Sequence, residues 1–319
     1  MSIAYLHHPA CLRHNMGTGH PESAARLYAI EDQLRASQLM DFMRHYEAPK
    51  ATLQQLARVH DVNYIDNILN FNEKQGAIYL DPDTVLMGET PEAALRAAGA
   101  LIHATDLVLG NQHQVAFCNI RPPGHHALRA QAMGFCFFNN IAVGVAHAIE
   151  ASGLERVAIA DFDVHHGNGT EAIFADEPRV MLCSSFQHPF YPGVGADTVS
   201  GHIINVPLPA GTGGGEFRDA ITKQWLPALH EFAPQMIFIS AGFDAHEDDD
   251  MSMMCLRADD YAWVTQEILA IADKYAEGRI VSALEGGYEL QGLAQSVAAH
   301  IEVLTIETNE KTITKNTMA

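Results

Sequence analysis

The chain has 319 residues, 48% of them hydrophobic and 18% charged, which suits one large α/β domain or two small ones and is enough to bury a sizeable core without disulfides. Its formal net charge of −20, from 39 acidic against 19 basic residues, argues against general nucleic-acid binding and suits cationic ligands or simple solubility. Five cysteines at positions 11, 118, 136, 183 and 255, with no CxxC spacing, suggest neither a disulfide framework nor a structural zinc knuckle.

Met1-Ser2-Ile3 lacks the basic region of a secretory signal, and no apolar stretch approaches the ~18 residues of a membrane span. A reduced, cytoplasmic setting is therefore expected. Along the chain, strand-like runs alternate with helical ones. Strands are predicted at Ser2–Leu6, Val115–Ile120, Val157–Phe162, Val180–Phe186, Ile203–Leu208, Met236–Ala241 and Ile280–Leu284. Helices are predicted at Glu22–Gln38, Thr90–Leu109, Asn140–Ser152, Gly215–Phe232, Asp259–Ala276 and Leu290–Leu304, with Thr90 read as a cap before Pro91. The alternation predicts an α/β fold, a mostly parallel central sheet with helices on both faces. No repeat or Pro/Ser-rich linker interrupts residues 1–304, which are read as one domain. The polar tail, residues 305–319, is expected to be loosely ordered.

In such sheets functional groups gather beyond the carboxyl ends of strands, and four predicted strand ends carry unusual residues. The densest is Asp161 to Thr170, with two carboxylates and two imidazoles within six residues. If the strand runs on through them, Asp161, Asp163 and His165 point one way, and a carboxylate and an imidazole on one face can share a divalent metal. The plain alternative is a polar turn with a salt bridge. Asp163, His165 and Asp244 together would leave an ion open positions for water and substrate. Asp244 taken alone reads equally as a helix cap. His125 and His126, held on a Pro-Pro-Gly turn, are acid–base candidates, although a lone His pair in a loop is more often structural. Asp161 and Asn168 could stand behind them, a carboxylate raising the basicity of one ring and a neutral amide orienting the other. Tyr288, after Gly286-Gly287, could donate to the oxyanion of a tetrahedral intermediate; an ordinary half-buried Tyr is the alternative. Phe135 and Tyr191 could form an apolar slot, whereas Phe137 and Phe138 read as core.

These motifs resemble the histone deacetylase superfamily: Arg121–Ala127, Gly134–Asn140, Asp161–Thr170, Gly242–Ala245 and Glu285–Tyr288, with His20-Pro21-Glu22 and Arg26-Leu27 like its entry segment. The likeness spans roughly residues 3 to 304. It implies a zinc-dependent amide hydrolase on the arginase–deacetylase fold. On this resemblance Asp163, His165 and Asp244 are zinc ligands. His125 and His126 are the catalytic pair, with His126 as general base, backed by Asp161 and Asn168. Tyr288 polarises the amide carbonyl. The substrate channel takes in Phe135, Tyr191, Gly134, Met251 and Gly286, Tyr191 standing where Phe is more usual. A structural potassium ion matches Asp161, Asp163, His165, Ser184 and Ser185. Arg26 matches an arginine near an internal cavity. Asn168 and the Glu285 motif make the chain look like class II and its bacterial amidohydrolase relatives. Met251 stands where polyamine-selective relatives carry Glu, and Glu89 is expected near the substrate-facing rim.

The implied substrate is an acetylated lysine peptide or protein. An acylated small amine such as an acylpolyamine is the first rival, a manganese ureohydrolase the second, and an inactive binding module the third. Neither a nucleic-acid nor a membrane partner is expected. A homo-oligomer, the acyl chain length and the choice of zinc over iron or cobalt stay open.

Overall fold

The computed structural model describes residues 2–71 and 76–317, with side chains described up to 305. Its strands are β1 (Ile3–His7), β2 (Met43–Glu47), β3 (Ile78–Tyr79), β4 (Val85–Leu86), β5 (Val115–Cys118), β6 (Val157–Asp161), β7 (Val180–Gln187), β8 (Ile203–Leu208), β9 (Met236–Ala241) and β10 (Ile280–Leu284). Its α-helices are α1 (Pro9–Arg13), α2 (Ala24–Ala36), α3 (Leu53–Leu56), α4 (Val62–Leu69), α5 (Thr90–Leu109), α6 (Asn140–Glu150), α7 (Asn168–Phe174), α8 (Gly214–Phe232), α9 (Ala258–Tyr275) and α10 (Leu290–Thr317).

Eight strands form one parallel sheet in the order β2-β1-β5-β10-β9-β6-β7-β8. The inner strands are buried on both faces, which is why Val157–Asp161 and Met236–Ala241 read as unbroken apolar runs rather than alternations. Helices α1, α5 and α6 pack as one group and α2, α8, α9 and α10 as another, covering the two faces. This is the α/β arrangement expected. Among the described residues no helix is long and apolar enough to cross a membrane.

Several local expectations change. β2 escaped notice because it is the sheet edge: only Met43 is buried, so Met43–Glu47 carries little apolar signal. Thr90 is not the cap of α5. It is the first helical residue, and its hydroxyl donates to the Met87 carbonyl at 2.6 Å while Glu89 takes the cap position. Thr305, assigned to the tail, is buried, and its hydroxyl donates to the Ile301 carbonyl. The backbone of α10 continues to Thr317; the expected looseness of the rest of the tail lies outside the described side chains.

Candidate active site

The four strands whose carboxyl ends carry the polar motifs are neighbours in the sheet: β5, β10, β9 and β6. The turn bearing His125 and His126 leaves β5, Glu285 to Tyr288 leave β10, Asp244 follows β9, and Asp163 and His165 follow β6. Parallel pairing puts all four ends on one side, so residues far apart in sequence meet there.

Strand β6 stops at Asp161, one residue short of the predicted Phe162, and does not run on through the motif. The cause is local. Asp161 Oδ1 accepts the Asp163 N–H at 3.2 Å, and Asp163 Oδ1 accepts the His165 N–H at 2.9 Å. Each carboxylate captures the backbone two residues on and bends the chain out of the ladder. His165 Nδ1 thereby lies 3.2 Å from Asp163 Oδ1 and 3.1 Å from Asp244 Oδ2. Asp244 caps no helix; its Oδ1 accepts the Val164 N–H at 2.9 Å. One donor atom from each of Asp163, His165 and Asp244 lies within 4.8 Å of the others, and all three residues are buried.

Burial opposes charge on His165, yet Asp163 and Asp244 push its pKa up to about 10. Burial, with Asp163 alongside, pushes Asp244 up to about 6. Burial also works against ionised Asp163, but His125 and His165 hold it well below the usual carboxylate range. Two buried carboxylates facing a single imidazole suit a divalent cation, and two oxygens with one nitrogen are a donor set zinc accepts.

The rings of His125 and His126 lie 4.1 Å apart. His125 Nδ1–H donates to Asp161 Oδ2 at 3.1 Å, and His126 Nδ1–H donates to Asn168 Oδ1 at 2.8 Å. Burial disfavours a charged His125, but Asp163 and Asp161 raise its pKa well above the ordinary value. Burial and the neighbouring His125 and His165 hold His126 well below it. The surroundings thus favour the protonated form of His125 and the neutral form of His126, whose Nε2 lone pair is then available as a base.

His126 and His165 line the floor of a cavity of about 280 Å³, while His125 lies behind the lining. Phe135, Tyr191, Gly134, Met251 and Tyr288 form its walls, together with Phe190, Asp83 and Asp250. Phe190 stacks on His165 at 5.6 Å, and Tyr191 meets His126 edge-on at 5.2 Å. Phe137 and Phe138 are core. Tyr288 packs edge-on against Phe135 at 5.8 Å, and the Arg26 guanidinium sits 4.8 Å from the centre of its ring. Burial raises the Tyr288 pKa well above 10 against the opposing pull of Arg26, so the phenol remains a donor.

Two expected rim or channel residues lie elsewhere. Gly286 is behind the cavity wall: its N–H donates to Asp163 Oδ2 at 2.8 Å, and a Cβ there would come within 2.0 Å of Asp244 Oδ2. Glu89 pairs with Arg13 at 3.3 Å and lines a separate surface groove, because it sits at the start of α5. Asp83 and Asp250 are the acids that reach the cavity. Ser184 pairs in register with Asp161 on β7, and Ser185 follows it; Ser184 Oγ lies 3.3 Å from His166 Nδ1.

Residues missed in the sequence hold this site in place. Glu285 is fully buried; its Oε2 accepts the N–H of Gly124 at 2.7 Å and of His125 at 3.2 Å, tying the His-pair turn to β10. Glu22 is buried between Arg26, Arg121 and His14. Asp249 accepts the Tyr288 N–H at 2.6 Å. Glu22 and Glu285 lie within His20-Pro21-Glu22 and Glu285–Tyr288, the signal the sequence offers for them. Asp249 belongs to an acidic run that reads as solvated surface.

A buried carboxylate–imidazole triad beside a tuned imidazole pair, at the carboxyl ends of a parallel sheet, defines a hydrolase-type α/β site. The comparisons agree. Residues 20–304 match the histone deacetylase domain. A probable deacetylase of Archaeoglobus fulgidus is 38% identical over 300 residues, covering 92% of this chain and 83% of that one. A histone deacetylase-like amidohydrolase of Pseudomonas aeruginosa is 38% identical over 277 residues, covering 85% and 73%. The crystal structure of the HDA15 HD domain superposes with a TM-score of 0.88 at 31% identity, covering 95% of this chain and 88% of that one. The chain belongs to the histone deacetylase family and has its arginase–deacetylase fold. It is a hydrolase of amide bonds other than peptide bonds.

Proposed function

We propose that this protein is a zinc-dependent deacylase that removes acetyl or related acyl groups from lysine side chains. The observation that carries the reading is the convergence on one cavity of His126, His165 and Tyr288, with Asp163 and Asp244 directly behind. Asp163, His165 and Asp244 would hold one zinc ion, which when bound polarises a carbonyl and makes water a better nucleophile. His126, neutral and oriented by Asn168, takes a proton at Nε2 as general base. His125, whose pKa Asp163 and Asp161 raise and whose Nδ1–H donates to Asp161, stabilises negative charge developing beside it. The Tyr288 phenol donates to the carbonyl oxygen as it becomes tetrahedral. Phe135, Tyr191 and Met251 exclude water from the acyl chain. Asp161, Asp163, His165, Ser184 and Ser185 are the proposed surroundings of a structural potassium ion.

Asp83 and Asp250 favour a second reading, in which the substrate is an acylated polyamine, because they offer negative charge at the cavity to an amine beyond the amide. Rates of the purified, metal-defined enzyme on acetyl-lysine peptides and on acetylputrescine test both. Faster hydrolysis of the peptide supports the first reading, and the reverse order supports the second. Failure on both would remove the deacylase assignment.

A further inference from the structure

The Tyr288 hydroxyl can serve an oxyanion only if it is already in place, since donors that must reorganise during the reaction lose their advantage. The segment that carries it is poorly suited to this. Gly286 and Gly287 precede it, and Gly287 has a φ of +118°, a region that side-chain-bearing residues rarely enter. Such a backbone has much freedom to lose. Something outside the segment has to remove that freedom.

Two side chains do so, and they grip the same peptide unit. The carbonyl of Gly287 accepts from Arg26 Nε at 2.5 Å. The N–H of Tyr288, across that peptide bond, donates to Asp249 Oδ2 at 2.6 Å. The same Asp249 oxygen takes the Glu289 N–H at 3.0 Å. Its other oxygen, Oδ1, takes the N–H of Met251 at 2.9 Å, and Met251 is a wall residue of the cavity. Asp249 is only 5% exposed. It neither lines the cavity nor belongs to the triad, although its charge acts on Asp244, and it accepts three backbone N–H groups from two separate segments.

We propose that Asp249 is a positioning residue: it fixes the peptide that presents the Tyr288 hydroxyl and sets the cavity wall at Met251 in register with it. The inference rests on the oxyanion role of Tyr288 proposed above. A carboxylate suits the task because it is acceptor-only, and three N–H groups converge on it. An amide of the same shape turns an NH₂ toward at least one of them. The loss is then one of placement, and misplacement of about 1 Å can cost on the order of a hundredfold in rate.

The test is a double-mutant cycle on the metal-loaded enzyme with an acetyl-lysine peptide, reading kcat and KM separately, with metal content and Tm measured alongside. Asp249→Asn should lower kcat by about 10- to 100-fold with metal content unchanged. In the Tyr288→Phe background the same change should cost no more than about threefold, because the group being positioned is gone. Equal losses in both backgrounds, or a lower Tm with kcat intact, would overturn the inference. A slow Tyr288→Phe beside an unimpaired Asp249→Asn would overturn this inference alone. Tyr288→Phe turning over within a few-fold of wild type would remove the oxyanion reading and this inference with it. Hydrogen exchange of the wild type needs no variant to fold: the amides of Tyr288 and Glu289 should be protected, and rapid exchange at both would overturn the proposal.

Discussion

His125 and His126 stand 4.1 Å apart, yet one donates to the carboxylate of Asp161 and the other to the amide oxygen of Asn168. The negative charge behind His125 favours its protonated form, and the cation so formed disfavours a second one next door. Two chemically identical side chains, adjacent in sequence, are pushed in different directions: Asp163 and Asp161 raise His125, while burial and the neighbouring His125 and His165 lower His126.

The base is therefore expected to be His126. His126→Ala should lower turnover by roughly 10²- to 10⁴-fold while elemental analysis still finds the metal, because no donor atom of His126 belongs to the triad. Turnover near that of the wild type would remove His126 from the mechanism.

Metal binding is expected to depend on Asp244 and on the absence of a side chain at Gly286. Asp244→Ala deletes one of three donors, and Gly286→Ala drives a methyl group to within 2.0 Å of Asp244 Oδ2. Both variants should lose metal on dialysis under conditions where the wild type keeps about one ion per chain. Full occupancy in Asp244→Ala would show that the ion sits elsewhere.

Tyr288→Phe removes one oxygen and leaves the packing against Phe135 and Arg26 intact. It should preserve fold, metal and substrate binding, yet slow kcat on acetyl-lysine peptides at least about a hundredfold. A rate within a few-fold of wild type would favour a metal-only mechanism.

Stability should fall in mild acid because of two buried histidines outside the cavity lining. Burial lowers the His300 pKa to about 3 between Thr265 and Ser282, and burial lowers His60 to about 4 against the help of the Leu128 and Arg129 carbonyls. The unfolded chain binds these protons near pH 6.5, so below that value it holds more protons than the folded one. Stability is present in full above about 6.5 and declines as pH falls toward 4 and then 3, by up to about 1.4 kcal/mol per pH unit for each histidine. Urea midpoints measured between pH 7 and pH 4.5 check this. His300→Gln should flatten the slope, and an unchanged slope would show that His300 contributes nothing to it.

Much of the scaffold was readable along the chain. The limits of β8, β9, β10 and α5 agree with expectation because buried strands and long helices announce themselves through local apolar runs and periodicity. Edge strand β2 and the β3–β4 hairpin did not, since short or solvent-facing elements bury too few side chains to leave a pattern. Asp163 and His165 do not continue the strand, a condition the sequence left open, because the carboxylates of Asp161 and Asp163 compete for backbone N–H groups and end the ladder at Asp161.

By itself the sequence determined which chemical groups are present, that each follows a buried strand, and hence that they lie at one end of a parallel sheet. Tertiary structure alone decided that β5, β10, β9 and β6 are neighbours, which brings residues 125, 288, 244 and 165 together. It also decided that Gly286 and Glu89 stay out of the cavity while Asp83 and Asp250 reach it, and that Asp249, one acid in an acidic run, is buried beneath Tyr288. Strand order and side-chain placement depend on pairings across more than a hundred residues in places, as between Gly286 and Asp163. Local propensity carries no record of such pairings, because their energy exists only once the chain has closed on itself.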